Sequence, residues 1–163
     1  KDFEIIPSKI PEIVPDGLEV EKHSEYLARL KANDIAKDFK NAVVIGADTS
    51  VILGNEILGK PRDREDAKRM LKMLSGNIHK VITGCAVVKN GVCDSFSVTT
   101  EVEFIGLTDK EIEDYLNTDE PYDKAGSYGI QGLGGLFVNS IKGDYFNVVG
   151  LPVAHLKRFL EKN

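Results

Sequence analysis

Two stretches of strand pattern, Lys80 to Lys89 and Val92 to Ile105, meet at Asn90-Gly91, and no other feature narrows the fold as much. Asn-Gly between two such runs is the strongest short hairpin signal, because both residues tolerate the left-handed backbone of a two-residue turn. Strands joined so tightly pair antiparallel, and a ribbon of this length twists strongly. Along the second strand Phe96, Val98, Val102 and Phe104 share one face, while Ser97, Thr99, Glu101 and Glu103 share the other. That alternation implies one wet face.

The remaining segments add helices and shorter strands. Phe3 to Ile6 reads as a strand, followed by a proline-bearing loop, Pro7 to Gly17, that contains Glu12. From Ser24 to Phe39, Ala28, Ala32, Ile35, Ala36 and Phe39 recur at helical spacing. Val43 to Ala47 is continuously apolar and rich in β-branched residues, which predicts a strand buried on both faces with Asp48 at its exit. Gly54-Asn55 marks a second hairpin, Val51-Ile52-Leu53 against Glu56-Ile57-Leu58. Asp63 caps a helix through Leu74 that Gly76 stops, and Thr108 with Glu111 forms a capping box for a helix to Leu116. Thr118 to Gly135 is irregular and glycine-rich. Leu136-Phe137-Val138 and Tyr145 to Val149 read as a further strand pair around Lys142-Gly143-Asp144, and Pro152 opens a helix to about Leu160. Helices interleaved with hairpins predict an α/β fold, a mixed and strongly twisted sheet flanked by helices, in one domain over residues 1–163.

With 163 residues the chain can bury a full core, and its net charge of −5 argues against broad nucleic-acid binding. Nothing approaches the roughly 20 apolar residues of a membrane span, nor does a signal peptide open the chain. Cys85 and Cys93 lie in one hairpin without CxxC spacing, which favours reduced cysteines in a cytoplasmic protein over a disulfide or zinc site.

An acid at the exit of a buried strand sits at the sheet's rim, where open α/β folds bind ligands. Taken alone, Asp48 is equally a turn or cap aspartate. Gly59-Lys60-Pro61 sets a cation beside bare backbone N–H, which suits a phosphate, although a lone lysine is more often only exposed. The stretch from Asp123 to Gly135 combines glycines, which allow close backbone approach, with Gln131, whose amide both donates and accepts. It is neither a Walker A loop nor a dinucleotide fingerprint, since GxxxxGK[ST] and GxGxxG are absent.

Four segments in order resemble the Maf family of nucleoside triphosphate pyrophosphatases: Gly46-Ala47-Asp48-Thr49; Ile57-Leu58-Gly59-Lys60-Pro61; Leu74-Ser75-Gly76 with His79-Lys80-Val81-Ile82-Thr83-Gly84; and Asp123-Lys124-Ala125-Gly126-Ser127-Tyr128-Gly129-Ile130-Gln131-Gly132. The resemblance implies the fold shared with inosine triphosphate pyrophosphatases, two lobes around a cleft, and a homodimer. It implies that Asp48 is the proton acceptor, that Glu12 and Asp48 hold a divalent cation (Mg2+, with Mn2+ as the alternative), and that Lys31 and Lys60 bind the phosphates. Thr49 and Gln131 match positions linked to base selection. The form of the last motif resembles the branch acting on dTTP and UTP; the branch associated with 7-methyl-GTP carries glutamate where this chain has Gln131. The implied reaction is release of pyrophosphate from a nucleoside triphosphate, in the service of nucleotide-pool cleansing. Alternatives are a nucleotide-binding regulator of cell division and a purine (ITP/XTP) pyrophosphatase. Family members also carry a preceding strand and a Ser-x-Ser-Pro-Arg-Arg loop that nothing here matches; the expectation is that the natural protein has it and this chain lacks it.

Overall fold

The computed structural model describes residues 3–162. Its elements in chain order are α1 (His23–Ala36), β1 (Val44–Leu53), β2 (Glu56–Leu58), α2 (Arg64–Leu74), β3 (Ile78–Lys89), β4 (Val92–Phe104), α3 (Asp109–Leu116), β5 (Val138–Lys142), α4 (Tyr145–Val149) and α5 (Val153–Lys162). The strands are hydrogen-bonded in the order β2-β1-β3-β4-β5, so the class is α/β as expected. Among the described residues, none of these helices is long and apolar enough to cross a membrane.

The two Asn-Gly-type turns form as read. Asn90 and Gly91 take φ of 52° and 80°, the left-handed pair that joins β3 to β4 in an antiparallel hairpin. β1 and β2 pair antiparallel with Val51 opposite Leu58 and Leu53 opposite Glu56, and β4 and β5 pair antiparallel with Glu101 opposite Lys142. The caps also form: the Asp63 side chain accepts from the Asp66 N–H, and Thr108 and Glu111 complete their capping box.

Four local readings need correction. Phe3 to Ile6 belongs to no strand; Phe3 and Ile5 are 85% and 82% exposed, and an apolar pattern without a ladder partner does not make a strand. Tyr145 to Val149 is a helix: the Asp144 side chain caps the Phe146 N–H at 2.8 Å and Gly150 closes the turn in the left-handed region. Finally, Asp48 does not end a strand, because β1 runs on through it. Thr49 to Ile52 continues with β-branched and buried residues, and pairing with β2 extends the ladder. Nor is Val43 to Ala47 buried on both faces, for Val43, just before β1, and Ile45 within it are 50% and 43% exposed.

By their contacts the residues fall into two compact units, one of residues 1–48 and 84–97, the other of residues 49–83 and 98–163. The first has a core of small side chains, Ala28 and Ala32 of α1 against Ala86 and Val88 of β3, with Val44 and Cys93 beside them. The second has a larger core in which Met70, Leu71 and Leu74 of α2 and Ile112, Tyr115 and Leu116 of α3 pack with Val51, Val81, Val102 and Phe104 of the strands. Phe104 stands at its aromatic centre, edge-on to His79, Tyr128 and Phe137.

Candidate active site

In the first unit the fold gathers three of the residues singled out from sequence. Lys31 Nζ lies 2.6 Å from Asp48 Oδ1 and 2.7 Å from Glu12 Oε1. The placement follows from strand alternation and close packing. Val44, Gly46 and Asp48 share one face of β1, and α1 lies so near that face that a Cβ on Gly46 would strike the Ala28 carbonyl and the Ala32 side chain. Gly84 of β3 performs the same service, its missing Cβ replaced by the Glu25 backbone of α1. With the helix seated on two glycines, Lys31 reaches directly to Asp48. Burial pulls the Lys31 ammonium down, but its hydrogen bonds and charge contacts with Asp48 and Glu12 outweigh burial and hold its pKa above the ordinary value. Two carboxylates around one ammonium leave a net negative charge of one on the cluster.

Thr49, next along β1, turns to the other face and enters a separate network in the second unit. Its hydroxyl is 2.9 Å from that of Thr83 on β3. The Thr83 hydroxyl donates to the Asn147 carbonyl at 2.9 Å, and the Thr83 N–H donates to Asn147 Oδ1 at 3.2 Å. Asn147, on α4, donates its amide protons to the Val81 carbonyl and the Thr100 hydroxyl at 2.9 and 3.0 Å. Thr83, Thr100 and Asn147 are all fully buried.

Lys60 is exposed on the turn after β2, and Asp123, at the head of the glycine-rich stretch, feels its charge. The stretch is tied to that turn where the Gly126 N–H donates to the Gly59 carbonyl at 3.1 Å. Gln131 is exposed on the same stretch. What shapes this loop is Glu120: its carboxylate accepts the Leu133 and Gly134 N–H groups and the Tyr115 hydroxyl, each at 2.9 Å. Those bonds outweigh the effect of burial and hold the Glu120 carboxyl below its ordinary range.

The sequence reading missed Glu120 and Asn147. Glu120-Pro121 carries no pattern of its own, since its partners are backbone groups thirteen and fourteen residues away. Asn147 was legible in principle, because Asp144 and Gly150 are a helix start and stop that the β-branched Val148-Val149 overrode. A surface groove lined by Asn33, Lys37, Phe39 and Asn90 holds none of the candidate site residues read from sequence.

The family of Maf-like proteins matches this chain over residues 1–163. Curated relatives named dTTP/UTP pyrophosphatase include one from Halalkalibacterium halodurans, 46% identical over 98% of this chain and 84% of its own length. Another from Bacillus pumilus is 48% identical over 98% of this chain and 84% of its own length. A third, from Clostridium novyi, is 50% identical over 95% of this chain and 83% of its own length.

Proposed function

This chain belongs to the family of Maf-like proteins, and from that premise we propose that it hydrolyses dTTP and UTP to the nucleoside monophosphate and pyrophosphate. The observation that carries the reading is the Glu12–Lys31–Asp48 cluster, found in a chain 46% identical over 98% of its length to a dTTP/UTP pyrophosphatase. Water attacks the α-phosphorus, the bond from that phosphorus to the bridging oxygen breaks, and pyrophosphate leaves. Asp48 accepts the proton of the attacking water; an aspartate is ordinarily ionised near neutral pH, so the role needs position more than a raised pKa. Lys31, charged and set against Asp48, keeps that carboxylate in place and brings positive charge to the phosphates; Lys60 is a second phosphate-binding lysine by its resemblance to the family motif. Thr49 and Gln131 match the family positions linked to base selection and take that role in this reading.

The donor set fits a divalent cation. Asp48 and Glu12 are hard oxygen donors brought together around Lys31 Nζ, and they would hold such a cation from a cluster that is net negative. Among the described residues no group of three or more His, Cys, Asp or Glu side chains converges on one point, so phosphate oxygens and water would have to complete the shell. Such a cation, Mg2+ or Mn2+, supplies charge neutralisation on the phosphate oxygens.

Pyrophosphate release from dTTP, UTP, CTP, 7-methyl-GTP and ITP, with each cation, tests the reading. dTTP and UTP should lead the series, and Asp48→Asn should lower kcat by about 10^2 to 10^4. Equal turnover by Asp48→Asn and wild type would remove the role of Asp48, and a preference for 7-methyl-GTP would remove the substrate class.

A further inference from the structure

We propose that Thr83, held by Asn147, fixes Thr49 as a hydrogen-bond acceptor toward the nucleotide, so that the site favours a pyrimidine with N–H at N3 over one with a lone pair there. The inference rests on the reading above, in which the base of a nucleoside triphosphate lies at Thr49.

A hydroxyl has a single proton to donate. That of Thr83 goes to the Asn147 main-chain carbonyl at 2.9 Å, a group that only accepts. The contact of 2.9 Å between the Thr49 and Thr83 hydroxyls must therefore use the proton of Thr49. Nothing behind Thr83 allows the direction to reverse. The Asn147 side chain cannot be turned end for end, since its Nδ2 meets the Val81 carbonyl, which only accepts, and its Oδ1 meets the Thr83 N–H, which only donates. Its second amide proton goes to the Thr100 hydroxyl, whose own proton goes to the Asp144 carbonyl at 3.0 Å. Thr83, Thr100 and Asn147 are fully buried, which shields this pattern from bulk solvent.

Thr49 is half-buried, and its proton is directed into the network, so it offers a ligand only lone pairs. Uracil and thymine carry an N–H at N3 and satisfy it. Cytosine carries a lone pair at that atom, and two lone pairs facing each other leave both groups unpaired. Thr83 touches no substrate in this scheme; it is a positioning residue that acts through Thr49.

The test compares kcat/KM for UTP, CTP and N3-methyl-UTP in wild type, Thr83→Ser and Thr83→Val. Wild type should prefer UTP to CTP and to N3-methyl-UTP by about tenfold, the ratio for one hydrogen bond. Thr83→Ser keeps the hydroxyl and should keep the ratio. Thr83→Val removes the acceptor of the Thr49 proton, which then turns toward the ligand, so CTP should gain on UTP by about tenfold. A parallel loss on both substrates in Thr83→Val, as a merely structural role would give, overturns the inference. So does equal turnover of N3-methyl-UTP and UTP by wild type, an arm that decides the matter even where Thr83→Val does not fold. If wild type turns over neither UTP nor dTTP, the functional reading falls and this inference with it; if UTP is turned over and the UTP/CTP ratio is unmoved, only this inference falls.

Discussion

His79 and Glu120 show how much a single buried polar side chain decides in this protein. His79 is 1% exposed, its Nε2 lies 2.8 Å from the Tyr128 hydroxyl, and its Nδ1 is buried with no hydrogen-bond partner among the described residues. Burial pushes its pKa down from 6.5 to about 4. The folded state then binds fewer protons than the unfolded chain between those values, so stability is complete above pH 6.5, falls as pH drops toward 4, and levels off below. The loss amounts to about 3 kcal/mol at most. Thermal unfolding followed from pH 7.5 to 4 should show it, and a non-titrating His79→Gln variant should show a flatter slope; identical slopes would acquit His79. Glu120 acts differently, accepting from the Leu133 and Gly134 N–H groups with its two oxygens. Glu120→Gln keeps the shape but turns one acceptor into an NH2 facing a backbone donor. Urea unfolding should register a loss of about 2 kcal/mol, and the Leu133 and Gly134 amides should exchange faster. Of the two residues, His79 lay inside a motif read from sequence, whereas Glu120 is invisible there because its partners are backbone N–H groups brought near by the loop's path.

Helix α1 is seated on β1 and β3 through Gly46 and Gly84, and this seat is what brings Lys31 to Asp48. A Cβ at Gly84 would run into the backbone of Glu25, which cannot swing aside as a side-chain tip would. Gly84→Ala should therefore destabilise by about 1–3 kcal/mol or more, and, by lifting the helix, should lower catalytic turnover as well. Unchanged stability together with unchanged turnover would show that the seat has slack. The elements themselves were mostly legible in sequence, since hairpin turns and caps are local chemistry: Asn90-Gly91, Gly54-Asn55, Asp63 and Thr108 act where they were expected. The readings that failed depend on distant partners. Phe3 to Ile6 has strand-forming residues without a ladder, and the continuation of β1 past Asp48 needs β2 alongside.

Across the whole molecule two cores of unequal quality divide the same long strands. One contains Phe104, Tyr115, Tyr128 and Phe137 among many aliphatic residues, the other chiefly Ala28, Ala32, Ala86 and Val88. Local opening free energy follows buried apolar contact. Amides of β4 in residues 98–104 should consequently exchange more slowly than those in residues 92–97, and equal protection along the strand would mean that both units open as one. The sequence by itself determined the hairpins and the capped helices and put forward Asp48, Lys31, Glu12, Lys60, Thr49 and Gln131 as candidates, because turns, caps and motifs are properties of neighbouring residues. Only the tertiary structure decided that Lys31 stands between two carboxylates, that Glu120 ties down the glycine loop, and that Thr83 and Asn147 leave Thr49 with nothing but lone pairs to offer. Those are matters of which donor meets which acceptor across tens of residues, and a hydrogen bond's direction is settled only when all its partners are in place.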